Sequence, residues 1–287
     1  MGNDTTAQME SKLRGEFHVE YSSEAAIKKY SKGTAGYGIS YLLEHDYGEV
    51  YLSAIEKYLP KDRVRAGLRI WEFGCGAGMN LLHLVRLLES RGIRVERAIG
   101  TDFSEVLINA ANKEARTYLS AEHAGKVRFC VGRNEALIED ATRELRVDRT
   151  QLLSGFDLVL GVNTIRYCHR LHNENRAASE VFDLLAPGGV CVNIDMNDKF
   201  PAFRSRLRDR LTKDPEALYF PSLEEYARPF SEAGLEVVEE KRFCWIPHSA
   251  GRGLTSVMRA VGPLLGAVMP NRAMRSLVVS RKPGSRG

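Results

Sequence analysis

Hydrophobic positions along the chain alternate between short apolar runs and longer stretches of helical spacing. From residue 68 to residue 246 that alternation predicts a βαβ series. Strand 1 is expected at 68–74 and is followed by a helix at 79–90. Strand 2 at 95–101 is followed by a helix at 105–119, for which Ser104 is a natural N-cap. Strand 3 at 127–131 precedes a helix at 135–145, and strand 4 at 156–161 precedes a helix at 175–185. A turn reading Ala186-Pro187-Gly188-Gly189 leads into strand 5 at 190–195. A helix at 222–233 stops at Gly234, a good C′ residue. Strand 6 is expected at 235–246 and a last strand at 275–281.

Ahead of this series, seven of the eleven tyrosines fall between Tyr21 and Tyr58. Tyr41, Tyr47, Tyr51, Ile55 and Tyr58 have helical spacing with an interruption near Gly48. Residues 1–66 therefore read as a polar tail followed by a helical cap. Its aromatic stripe is expected to pack on the main domain or to close over a site as a lid. Two segments exceed what a connection needs, 196–221 and 247–273. Ligands of doubly wound sheets bind at the carboxyl ends of the strands, where the first of these begins.

Composition adds bounds. With 287 residues, 44% hydrophobic and 27% charged, the chain is expected to fold as one decorated α/β domain with a sizeable core. Net charge is only +4, but residues 241–287 hold nine Lys/Arg and no Asp or Glu. Residues 1–240 are left with 32 basic against 37 acidic side chains, a net −5. The five cysteines are odd in number and lack CxxC spacing, which suits reduced core thiols of a cytoplasmic protein rather than disulfides or metal ligands. The polar N-terminus has no signal-peptide pattern. Met1-Gly2 with Thr6 formally fits an N-myristoylation pattern, though one short enough to arise by chance. In 260–269 ten apolar residues are interrupted by Pro263, too few to span a bilayer.

The stretch with chemistry in it is 69–80, RIWEFGCGAGMN. An apolar strand breaks into Gly74, Gly76 and Gly78 and restarts as a helix. Such a turn brings backbone close to a ligand and presents the free N–H groups of a helix start. A dinucleotide fingerprint would want its third Gly at Met79. Here the pattern is Glu72-x-Gly74-x-Gly76-x-Gly78, which resembles motif I of the class I S-adenosylmethionine-dependent methyltransferases. The resemblance continues in order over about 68–195, with Asp102 at the end of strand 2, FDLVLGVN (156–163) at strand 4, and LLAPGG (184–189) before strand 5.

The resemblance implies a Rossmann-like methyltransferase fold, a seven-stranded, mostly parallel sheet with helices on both faces and an N-terminal helical cap. It implies S-adenosylmethionine as cofactor, held by Glu72, Gly74, Gly76, Gly78, Asp102, Phe103, Asn134 and Asn163. Asp102 would accept the ribose hydroxyls, and Phe103 would lie against adenine. The family usually has an Asp after the Gly that ends strand 3; Arg133 stands there, so the adenine role moves to Asn134. A general base would come from the strand 4 exit, where His169 is the candidate base and Tyr167 a pocket residue. His172, His248 and Tyr30 are further candidates.

The expected activity is methyl transfer to an O or N nucleophile of a small-molecule acceptor. Arg204 and Arg208 in the 196–221 insertion suggest that the acceptor is anionic. An RNA methyltransferase and a non-catalytic scaffold are the alternatives. The absence of a separate RNA-binding module or a continuous basic and aromatic array argues against a nucleic-acid partner. For 247–273, a cover over the pocket, a homodimer contact and a weak membrane-surface contact all stay open.

Overall fold

In the computed structural model, residues 24–31, 36–201 and 220–284 are described. The chain starts with α1 (Glu24–Tyr30) and α2 (Tyr37–Leu42). A π-helical turn over Leu43–Tyr47 then joins α2 to α3 (Gly48–Tyr58), and α4 (Lys61–Ala66) closes this part. The interruption expected near Gly48 is thus a widened turn inside one continuous helical path.

The alternating part follows: β1 (Leu68–Phe73), α5 (Met79–Ser90), β2 (Val95–Asp102), α6 (Glu105–Tyr118), α7 (Ala121–Ala124) and β3 (Val127–Val131). Next come α8 (Leu137–Leu145), β4 (Phe156–Val162), α9 (Ile165–Arg170), α10 (Glu174–Leu184) and β5 (Leu185–Met196). Past the insertion lie α11 (Leu223–Glu232), β6 (Glu236–Phe243), α12 (Arg252–Val268) and β7 (Arg275–Arg281).

The seven strands form one sheet in the order β3-β2-β1-β4-β5-β7-β6. β1 to β5 pair in parallel, and β7 is antiparallel to both β5 and β6. This is the Rossmann-like methyltransferase topology that the sequence implied. Parallel strands covered on both faces bury residues of both parities. Ile70, Leu158, Leu160 and Val192 point into one core, shared with α3, α5 and α6. Their neighbours Trp71, Val159, Cys191 and Val278 point into the other, shared with α8, α10 and α11. Trp71 is fully buried, donates from Nε1 to Thr101 Oγ1 at 3.2 Å, and meets Phe156 edge-on at 5.0 Å.

Helix starts follow local rules. Ser104 Oγ accepts from Leu107 N, as its N-cap position predicts. Ser222 and Glu225 form a reciprocal capping box at the start of α11. All five cysteines are buried and free. The strand order reverses between β1 and β4, so the loops after those strands open a crevice there. α3 sends Val50, Tyr51, Ala54 and Ile55 into the same core as Ile70 and Leu158.

Candidate active site

The turn after β1 is built from backbone that a side chain would block. Gly74, Gly76 and Gly78 have φ of 61°, 55° and 75°. A Cβ on Gly74 would stand 2.4 Å from Thr164, and one on Gly78 would stand 2.6 Å from Phe129. Two carboxylates hold the loop in place. Asp102, at the end of β2, accepts from Gly76 N and from Ser104 N, each at 2.9 Å. Glu72, at the end of β1, accepts from Asn80 Nδ2 at 2.9 Å and from Leu81 N at 3.0 Å. The second bond satisfies one of the open donors at the start of α5.

Burial sets the electrostatics of both acids. It pushes the Glu72 carboxyl up to about 8 against the pull of its two donors, with Asp102 adding to the rise. It pushes Asp102 up to about 6 in the same way, against its two backbone donors. Asn80 also accepts from the Tyr51 hydroxyl at 2.6 Å. The cap helix α3 is therefore tied to the glycine loop through a buried chain, Tyr51 to Asn80 to Glu72.

These groups face a cavity of about 940 Å³, at the upper end of the range for ligand pockets. Glu72, Gly74, Gly76, Asp102, Phe103 and Asn134 line one end of it. Asn163 and Tyr167 line it as well. Phe103, 37% exposed, offers a flat apolar surface next to Asp102. Asn163 is in the left-handed region at φ 54° and donates its N–H to Ile194 O at 2.7 Å. Its Oδ1 is buried with no hydrogen-bond partner among the described residues. Arg133 lines the cavity beside Asn134, with its Nε and Nη2 held on Asp140 at 2.9 and 3.0 Å.

Two of the expected site residues do not line the cavity. Gly78 turns the chain behind the loop, against Phe129 and Ala111. His169 is buried on the other side of α9, with its ring 6.1 Å from Tyr226 and its Nδ1 3.5 Å from Glu174. Burial lowers its imidazole pKa. The reason is helical: at about 100° per residue, His169 sits roughly 200° around from Tyr167. His172 is also outside the lining. The side chain of Tyr30, like Arg204 and Arg208, lies outside the described residues.

The far end of the cavity comes from segments distant in sequence. Ile39, Leu43 and Tyr47 roof it from the cap, and Met196 reaches it from the end of β5. His248 closes it from the 247–273 segment, with its Nε2 3.2 Å from the Tyr47 hydroxyl. Asn173, 8% exposed, lines the wall between the ends, and its Oδ1 and Nδ2 are both buried with no hydrogen-bond partner among the described residues. No spacing in the sequence links Tyr47 to His248, 201 residues apart. The only signals were membership of the tyrosine stripe and a place among the minor histidine candidates.

An adenine-bearing cation fits this lining. Phe103 provides a ring surface, Asp102 an acceptor for vicinal hydroxyls, Asn163 an open acceptor, and Glu72 a buried carboxyl whose ionised form a bound cation would favour. Among the described residues no group of His, Cys, Asp and Glu is arranged to hold a metal ion. No described helix is long and apolar enough to cross a membrane.

The model of a methyltransferase domain matches residues 43–240 of the chain. No curated protein matches it. Among solved structures it is similar to geranyl diphosphate C-methyltransferase from Streptomyces coelicolor A3(2), at 16% identity and a TM-score of 0.54, over 84% of this chain and 80% of that one. It is also similar to the CMeT domain of the citrinin polyketide synthase, at 18% identity and a TM-score of 0.54, over 84% of this chain and 54% of that one. The [4+2]-cyclase SpnF aligns at 17% identity and a TM-score of 0.52, over 78% and 79% of the two chains. At such identities the structural likeness speaks for the fold, while the family match covers more than half of the chain. The chain belongs to the class I S-adenosylmethionine-dependent methyltransferases, with S-adenosylmethionine as its cofactor.

Proposed function

We propose that the protein methylates an oxygen or nitrogen nucleophile of a small acceptor with a largely apolar body, bound between Tyr47, Met196 and His248. The observation that carries this reading is that a single cavity runs from the Asp102 end to His248. Cofactor and acceptor can then meet inside it without an open groove of the kind a polymer needs. The apolar roof of Ile39, Leu43 and Tyr47 favours a small hydrophobic body and keeps water out.

S-adenosylmethionine supplies an activated methyl group on a sulfonium, so the chain itself has to position the acceptor and manage a proton. At the cofactor end we assign Asp102 to the ribose hydroxyls, Phe103 to the adenine face, and Asn134 to its edge. Glu72 and Asn163 then hold the amino-acid part, while Gly74, Gly76 and Gly78 shape the loop. At the acceptor end, His248 takes the proton of the nucleophile. The Tyr47 hydroxyl, held 3.2 Å from its Nε2, fixes the ring. Burial raises the Tyr47 pKa, so the phenol stays neutral and serves as a hydrogen-bonding group, not as the base. Tyr167 becomes a wall of the acceptor chamber. His169 has no part in the proton transfer, since it lies behind α9.

The test is His248→Gln. Removing a positioned base should lower kcat by about 10²–10⁴-fold and leave the affinity for S-adenosylhomocysteine unchanged. His169→Gln should change kcat far less. Equal losses in the two variants, or none in His248→Gln, would refute the assignment.

A further inference from the structure

Asn173 stands at the N-cap of α10 but does not cap it. Asn is favoured at that position because its side-chain oxygen can accept from the second or third N–H of the helix. Ser104 and Ser222 do this for α6 and α11, whereas Asn173 makes no such bond. Its backbone is satisfied: the N–H donates to Cys168 O and the carbonyl accepts from Ala177 N, each at 3.0 Å. Its carboxamide is not. Asn173 is the only described residue with both a side-chain oxygen and a side-chain nitrogen buried and without a hydrogen-bond partner among the described residues, and it lines the cavity. An amide left in that state costs stability in the empty protein. A ligand that completes both bonds removes the cost.

The surroundings of Asn173 indicate which part of a ligand it meets. Cys168, whose carbonyl takes the Asn173 N–H, has its Sγ 3.5 Å from Asn134 Nδ2. α10 packs on the short turn Asn134–Ala136 that follows β3. Leu171, two residues before Asn173, packs on the small apolar cluster of Ala77 and Leu107. Leu107 belongs to α6, the helix that starts just after Phe103. Asn173 therefore belongs to the flank of the cavity made by the ends of β2 and β3. The sheet order puts Met196, at the end of β5, on the other flank.

A carboxamide presents an acceptor and a donor side by side in one plane. In S-adenosylmethionine the carboxylate only accepts and the ammonium only donates. The adenine edge matches the amide, with its amino group beside a ring nitrogen, and an Asn side chain pairs with such an edge through two hydrogen bonds. We propose that Asn173 reads the adenine of the cofactor in this bidentate way, Oδ1 accepting one amino hydrogen and Nδ2 donating to the adjacent ring nitrogen. The other amino hydrogen is left for Asn134. The inference rests on the placement of adenine against Phe103 and does not depend on the identity of the acceptor.

The experiment is calorimetry of wild type and Asn173→Ala with S-adenosylhomocysteine and with its analogue whose purine lacks the 6-amino group. The variant should bind S-adenosylhomocysteine more than about tenfold more weakly. Its loss for the analogue should be much smaller, because one of the two bonds is already missing there. Asn173→Leu, of similar volume, should hold the melting temperature of the ligand-free protein at or above that of wild type, since no bond within the protein is lost. Equal losses for the two ligands, with a lowered melting temperature in both variants, would make Asn173 a structural residue and overturn the proposal. Unchanged affinity for S-adenosylhomocysteine with slowed turnover would assign the amide to the acceptor and overturn it as well. If Asp102→Ala weakens S-adenosylhomocysteine binding and Asn173→Ala does not, the placement of the cofactor stands and this inference alone fails.

Discussion

Asp102 both ties down the glycine loop and presents its carboxylate to the cavity, and each oxygen already accepts one backbone N–H. Hydroxyl donors from a ligand would add to those bonds and favour the ionised form. Asp102→Ala should therefore weaken S-adenosylhomocysteine binding by about 2–4 kcal/mol, thirtyfold or more in calorimetry. An unchanged affinity would reduce Asp102 to a clamp between loop and α6. Because burial lifts this carboxyl to about 6, affinity should hold above that pH and fall as protonation sets in below it. Glu72 also acts on stability. Its folded pKa, about 8 against a usual 4.5, means that the folded protein holds a proton which the unfolded chain releases. Its ionisation penalty is absent below the unfolded value and complete above about 8, so stability should drop as pH rises through that window. Between about pH 6.5 and 8 the ligand-free protein should lose on the order of 1–2 kcal/mol. Glu72→Gln should flatten that slope in thermal melts; a slope equal to that of wild type would place its origin elsewhere.

At the scale of elements, the link that matters joins the cap to the cofactor loop. Tyr51 donates to Asn80, and Asn80 donates to Glu72, all buried. Tyr51→Phe leaves Asn80 Oδ1 without that donor and should cost about 1–3 kcal/mol of stability. If the link also positions the loop, S-adenosylhomocysteine affinity should drop with it, whereas a loss of stability alone would make the link purely structural. Most of the strands were legible, because they are short apolar runs bounded by turn residues; β6, with the charged sequence EVVEEKRF, ends at Phe243, short of the expected 246. The strands 127–131 and 275–281 have the expected ends, and the Ser104 cap forms as its residue type suggests. The proposed cofactor end could be read for the same reason: Glu72, Gly74, Gly76 and Asp102 sit at strand ends whose order the βαβ rule dictates, and they line one end of the cavity. The acceptor end was not. Tyr47, Asn173, Met196 and His248 meet only through the tertiary packing of α2, α3 and the 247–273 segment. His169 stands out by intrinsic pKa and proximity in sequence, but about half a helical turn carries it behind the wall that Tyr167 forms. For α12, periodicity marks an amphipathic helix and is silent on which face meets the domain.

For the molecule as a whole, one sheet places the proposed cofactor cradle at the ends of β1, β2 and β4, and an apolar chamber under the cap beside it. The two ends should be separable by mutation, with Asp102 acting on cofactor affinity and His248 on turnover. A methyl label followed from S-adenosylmethionine tests the central claim most directly. The full chain would be incubated with a small-metabolite extract and, in parallel, with total RNA. The account predicts label in a small, organic-extractable product, formed much more slowly by His248→Gln. Label that enters RNA and no small molecule would contradict it.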